Sequence, residues 1–211
     1  MKIAMLTAGL LTAALTGTAH AALLTEGFDD ITTLAAKGWL IQNASFPTAG
    51  TDWFQGNSGV FVAQSGAAAS YIASNYWAAP QGGLIQNFLV TPSFSLASEV
   101  TLTFWARGDV IPHFRDTFAV FADTAAPGDF HRVMELTTAL GDWTQYTVNL
   151  AGRGAGALGR FEFEYFSPAD GSNYIGIDTV NVTAAVPEPQ TCALMALGVA
   201  ALALRRRRAA S

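Results

Sequence analysis

The 211-residue chain has one cysteine, Cys192, so nothing can close an internal disulfide. Whatever folds here must be stabilised by burial or by a bound ion. Charge is also sparse: 13% of residues are charged, with 11 lysines and arginines against 16 acidic residues. Nucleic-acid binding depends on basic side chains neutralising phosphates, so this balance excludes nucleic acid as a partner. The three histidines are few for acid–base chemistry, and one of them, His20, lies in a segment that reads as a leader. There is no G-x-S-x-G serine and no cysteine outside the tail to act as a nucleophile.

What is present is organised by the two ends. Met1-Lys2, an apolar run to about Leu15 and the small-residue site Thr18-Ala19-His20-Ala21 have the layout of a secretory signal peptide, with cleavage after Ala21. Residues 1–21 are read as that helix, and the Sec translocon and signal peptidase follow as partners. At the other end, Val186-Pro187-Glu188-Pro189 precedes the apolar run Cys192–Leu204 and four consecutive arginines, Arg205, Arg206, Arg207 and Arg208. The prolines keep the backbone extended and open to a peptidase. The apolar run is built of helix formers and reads as a transmembrane helix, and the arginines hold their end in the cytoplasm. From Thr191 to Leu204 that helix would measure roughly 21 Å, against a hydrocarbon core of about 30 Å, which suits temporary retention better than permanent residence.

This tail resembles the PEP-CTERM sorting signal of Gram-negative bacteria. The resemblance implies that an exosortase cuts at the motif and passes the protein through an inner-membrane intermediate, domain in the periplasm, to the cell surface or extracellular matrix. Between the ends, residues 22–185 have the length of one domain. Leaving out Lys2 and the four tail arginines removes five positive charges, and leaving out Glu188 removes one negative charge. The net charge of −5 for the chain thereby becomes −9 for the domain.

Aromatic and β-branched runs broken by Gly, Asn, Asp, Ser and Pro predict an all-β domain. Strands are expected at 23–28, 38–43, 60–63, 70–72, 86–90, 100–106, 117–122, 133–137, 143–149, 160–166 and 174–183, with a short helix within 30–37. In Phe161-Glu162-Phe163-Glu164-Tyr165 the aromatics take one face and the glutamates the wet one; Leu102, Phe104 and Ala106 point inward in the same way. The last strand reads as buried on part of both faces. Many short antiparallel strands point to a two-sheet jelly-roll β-sandwich.

Glu26-Gly27-Phe28-Asp29, Gly38-Trp39, the segments 89–96, 102–107 and 143–150, and the final Tyr174-Ile175-Gly176-Ile177-Asp178-Thr179-Val180-Asn181-Val182 are together similar to the choice-of-anchor J domain. That family is akin to MAM domains, cleaved adhesins and carbohydrate-binding modules. The resemblance implies a jelly roll at the cell surface and leaves the ligand open.

Two candidate sites follow. Glu26 in the first strand and Asp178 in the last could form a hard-oxygen cage for one structural calcium, with Asp29 and Asp30 as lesser candidates; the alternative is a pair of hydrogen-bonded strand-end carboxylates. Trp53, and Tyr76 with Trp77, lie in loop-like surroundings and suit stacking against a sugar; the alternative is that they are core. Gly154-Ala155-Gly156-Ala157-Leu158-Gly159 matches G-x-G-x-x-G but leads into a strand, which excludes the pyrophosphate-binding helix. The expectation is an exported, non-enzymatic surface or matrix protein; alternatives are a carbohydrate-binding or adhesive module that takes a polysaccharide, and a polysaccharide-active enzyme.

Overall fold

Period-two alternation of apolar and polar side chains generates most of the architecture. The computed structural model describes residues 19–48, 50–114, 116–123, 128–137 and 141–186, together with Gly198 and Arg205. The signal-peptide helix up to residue 18, Pro187, Glu188 and Pro189, and Arg206, Arg207 and Arg208 lie outside the described residues. Gly198 and Arg205 are helical. Among the described residues no helix is long and apolar enough to cross a membrane.

Among the described residues there are twelve strands: β1 Ala19–Glu26, β2 Leu40–Asn43, β3 Phe54–Gln55, β4 Ile72–Asn75, β5 Leu84–Val90, β6 Phe94–Ser95, β7 Val100–Gly108, β8 Thr117–Asp123, β9 Phe130–Thr137, β10 Thr144–Leu150, β11 Leu158–Pro168 and β12 Tyr174–Val186. They form two six-stranded sheets. One runs β10-β7-β12-β4-β3 with β1 on β12; the other runs β2-β5-β11-β8-β9 with β6 on β11. The result is the all-β, two-sheet jelly roll that the alternation predicts, and its first and last strands pair.

Burial follows the pleat. Along β7 every second residue is buried, from Val100 through Leu102, Phe104 and Ala106 to Gly108. On β11 Phe161, Phe163 and Tyr165 point inward and are fully buried. Phe104 joins the sheets: its ring meets Phe163 at 5.2 Å and Phe118 at 5.7 Å on the facing sheet, both edge to face, and stacks on Tyr146 of its own sheet at 5.5 Å. Trp39 lies in the same core, edge to face with Phe28.

A second, smaller core lies on the outer face of the β7–β12–β4 sheet. There Phe61, Tyr71, Ala73 and Tyr174 are buried together, with Phe54, Val60, Ala63 and Trp143 packed against them. The expected strand at 60–63 is therefore corrected: it is a loop laid against the sheet, apolar because Phe61 must fill that layer, while Val62 beside it is 56% exposed. Gly176 is required here, because a Cβ at that position would stand 2.8 Å from the Tyr71 ring and 2.9 Å from Phe61. This layer is why β12 is buried on both faces. The helix expected within 30–37 is reduced to a 3-10 turn, Ile31–Thr33, capped by Asp30 and followed by further turns up to Gly38 at φ 87°.

Candidate functional site

Glu26 and Asp178 are each buried, at 5% and 0% exposure, and each is satisfied by donors of the protein itself. Glu26 accepts the Phe28 N–H on Oε1 at 2.9 Å and pairs with Lys37 Nζ on Oε2 at 2.9 Å. Asp178 accepts the N–H groups of Gln64 (2.9 Å) and Ser65 (3.1 Å) on Oδ2, and the N–H and hydroxyl of Thr179 on Oδ1. Burial raises the Asp178 carboxyl above its ordinary range, and the hydrogen bonds only partly offset this. Asp30, a lesser candidate, caps its own turn through Thr32. Among the described residues no group of three or more His, Cys, Asp or Glu is placed to hold a metal. A calcium cage needs lone pairs turned toward the ion. Here Asp178 accepts four protein donors, which makes it a clasp on its neighbouring backbone, and Glu26 accepts two.

The Asp178 clasp holds the loop between β3 and β4. Besides Asp178, the loop is fixed by Asn57 N–H to the hydroxyls of Tyr71 and Tyr174, by the Tyr71 hydroxyl to Phe61 O, and by Trp143 Nε1 to Val62 O. Arg107 stacks its guanidinium over Phe61 at 4.5 Å. Near the start of the same loop, Gln55 Nε2 lies within 3.3 Å of three carbonyls, those of Phe28, Ala69 and Tyr71.

The three aromatic candidates divide. Trp53 is 3% exposed and belongs to the main core, so the surface role expected for it is corrected: no ring face is open to a ligand. Tyr76 and Trp77 are 40% and 60% exposed, with ring centroids 5.0 Å apart. They form a short 3-10 turn whose cap, Asn75 Oδ1, accepts the Trp77 N–H at 3.0 Å, while the Tyr76 N–H donates to Asn173 O. The pair lines a cleft of about 470 Å³ with Gln81, Ile111, Phe114, Asp170 and Asn173. That size is within the roughly 300–1,000 Å³ range of small-molecule sites.

The far wall of the cleft is fixed from below. Asn173 N–H and the Tyr165 hydroxyl both donate to Asp116 Oδ1, at 2.8 and 2.5 Å. Burial pushes the Asp116 carboxyl up. Sequence reasoning missed this wall. The turn cluster Ser167-Pro168-Ala169-Asp170-Gly171-Ser172-Asn173 marks a loop, but no local signal says that the loop faces Trp77, 90 positions or more earlier in the chain. A second depression of about 290 Å³ lies between β5 and β11, where the polar groups Gln86 and Glu164 are bonded to each other.

Glu162 and Glu164 are drier than a wet strand face implies: Glu164 is 8% exposed. Burial, and then the charge of Glu164, push the Glu162 carboxyl up to about 7. A carboxyl raised in the folded state costs stability as pH rises from its unfolded value, about 4.5, through 7. Glu162→Gln is therefore expected to match the wild type near pH 4.5 and to exceed it by about 1–2 kcal/mol at pH 8, less than the full shift implies because the side chain keeps some solvent. Urea unfolding at the two pH values measures the difference.

The loop 151–156 is exposed and Gly154 and Gly156 are left-handed, but it runs into β11, so no helix terminus stands where a phosphate would bind. His131 pairs with Asp129 on the edge strand β9, His113 sits on an exposed turn, and neither lines the cleft.

Comparison with known proteins adds two findings. Residues 185–208 match the PEP-CTERM protein-sorting motif. The solved K3 cleaved adhesin domain of Lys-gingipain (Kgp) from Porphyromonas gingivalis W83 superposes with a TM-score of 0.57 and 26% identity, covering 78% of this chain and 99% of that one. The K1 cleaved adhesin domain of the same protein gives 0.59 at 22% identity, covering 79% and 100%; at that identity the likeness concerns the fold alone. No curated protein matches the chain. The chain thus joins a PEP-CTERM sorting motif to a β-sandwich with the fold of the cleaved adhesin domains.

Proposed function

We propose that this is an exported, non-enzymatic surface protein. The leader 1–21 takes it through the Sec translocon and is removed by signal peptidase. The tail 186–211 then holds it in the inner membrane, domain in the periplasm, until an exosortase acts at Val186, Pro187, Glu188 and Pro189. The domain 22–185 passes to the cell surface or extracellular matrix of a Gram-negative bacterium. The observation that carries this reading is the sorting motif at 185–208, attached to a sandwich whose solved counterparts are adhesin domains. The short apolar run, ended by Arg205, Arg206, Arg207 and Arg208, supports temporary rather than permanent retention.

Intact-mass analysis of the protein from its native host tests the proposal. The expected product lacks residues 1–21 and everything beyond the Pro-Glu-Pro motif. A product that retains the arginine cluster would overturn exosortase processing, and one that retains the leader would overturn cleavage at Ala21.

A second reading is favoured by one specific observation: Tyr76 and Trp77 present exposed, backbone-fixed rings over a cleft lined by Gln81, Asp170 and Asn173. Flat rings beside amides and a carboxylate suit a sugar, whose C–H face stacks while its hydroxyls find polar partners. In this reading the sorted domain is a carbohydrate-binding or adhesive module. Trp77→Ala weakens glycan binding by roughly tenfold or more if the reading holds, and undiminished binding in that variant counts against the cleft.

A further inference from the structure

The cleft at Tyr76 and Trp77 sets a condition on the charge of its ligand. Its described walls hold Gln81, Ser172 and Asn173, and the one charged side chain among them is the Asp170 carboxylate; no described lysine, arginine or histidine lines it. Asp170 is held at the rim, its Oδ1 accepting the Gly82 N–H at 3.1 Å. A second carboxylate stands behind the wall, where Asn173 Nδ2 donates to Asp109 Oδ2 at 3.1 Å. The domain as a whole is acidic, at −9 between residues 22 and 185 with Asp170 included.

The described charges act in one direction. A uronate or sulfated sugar stacked on Trp77 would bring its anion into the cleft that Asp170 also lines and inside the field of the whole domain. A neutral sugar meets no such opposition. Its C–H face covers the indole, and its hydroxyls donate to Asp170 and reach the Gln81 amide. The wall is fixed before binding by the Asn75 cap, the Tyr76–Asn173 main-chain bond and the Asp116 contacts, so little ordering is left for the ligand to induce.

Resting on the binding reading above, we propose that the cleft takes an uncharged polysaccharide and rejects acidic ones, with Trp77 as the stacking platform and Asp170 as the excluding charge.

The test titrates the full-length protein with neutral hexasaccharides (gluco-, xylo-, manno- and galacto-oligomers) and with oligomannuronate and oligogalacturonate hexamers, at low salt and at about 0.15 M salt. At least one neutral hexamer is expected to bind, and Trp77→Ala to weaken it by roughly tenfold or more. The uronates should bind roughly tenfold more weakly or worse at low salt, with the gap narrowing at higher salt and in Asp170→Asn. Trp77-dependent binding of a uronate as tight as that of the neutral hexamers would overturn the charge assignment and leave the binding reading standing. A gap untouched by Asp170→Asn would overturn the role given to that residue. Absence of Trp77-dependent binding to every hexamer would overturn the binding reading itself. Trp77 is 60% exposed, so its truncation should leave the fold intact, which circular dichroism of the variant checks.

Discussion

Asp178→Ala is expected to lower unfolding stability by about 3 kcal/mol or more and to detach the loop 57–70 from the outer face of its sheet. The carboxylate is fully buried and accepts four donors, two of them the Gln64 and Ser65 N–H groups of that loop. Alanine would leave those part-buried N–H groups without the carboxylate that now accepts them, and would remove a fully buried group bonded on both oxygens. It would also remove the contact that holds Thr179 at φ 50°, where β12 shifts register between Asp178 and Asn181. Loosening should then spread to the aromatic layer under the loop, Phe61, Tyr71, Tyr174 and Trp143. Amide exchange rising selectively in residues 57–70 and 174–178 would report it. The same experiment addresses calcium. If Asp178 is a clasp, a chelator leaves the wild-type melting temperature unchanged, and added calcium does not raise it. A chelator-sensitive wild type beside an insensitive Asp178→Ala would instead make the residue a cation ligand.

The contrast at Asp178 marks where the sequence is legible. Alternation places Phe104, Phe161 and Phe163 inward because a strand has only two faces and the polar neighbours occupy the other. The pairing of the first and last strands is a property of the jelly roll that the chain resembles, and β1 lies on β12. What alternation does not show is the partner of a buried polar group. Glu26 and Asp178 read as paired carboxylates from position alone, yet the groups that satisfy them are Lys37 and the backbone of a loop 114 residues earlier, at Gln64. Val60-Phe61-Val62-Ala63 misleads for a related reason. A loop that covers a sheet needs apolar residues just as a strand does, and periodicity over four positions does not separate the two.

The aromatics divide along the same line. Trp53 and Trp77 sit in similar polar, turn-rich surroundings in the sequence, but one is 3% and the other 60% exposed. The difference is set by tertiary packing: Trp53 leads into β3 and faces the main core, whereas Trp77 stands on a turn whose cap bond turns it outward. The cleft that makes Trp77 useful is built by a loop nearly 100 residues away, between β11 and β12, and no local window contains both.

Phe104→Ala should have the other large effect, a loss of about 3–5 kcal/mol. Phe104 is fully buried at the middle of β7 and is the ring where both sheets meet, touching Phe118 and Phe163 across the sandwich and Tyr146 alongside. Truncation removes the transfer energy of the ring and leaves a cavity walled by three other aromatics, each held on its own strand and unable to collapse into the gap. Edge-to-face geometry adds about 0.5–1.5 kcal/mol per pair beyond area, and two such pairs are lost together. Against a typical total of about 5–15 kcal/mol, this removes a large share of the stability and, for a domain of this size, lowers the melting temperature by roughly 10 °C. Phe104→Leu keeps much of the volume and should cost under about 1.5 kcal/mol. Because Phe104 lies in the main core and Asp178 fixes the outer layer, the two losses should differ in kind as well as in place. Phe104→Ala should lower stability globally with an unchanged denaturant slope, and exchange should rise in both sheets rather than in one loop. If exchange rose only around residues 57–70, the sheet-joining role assigned to Phe104 would be wrong.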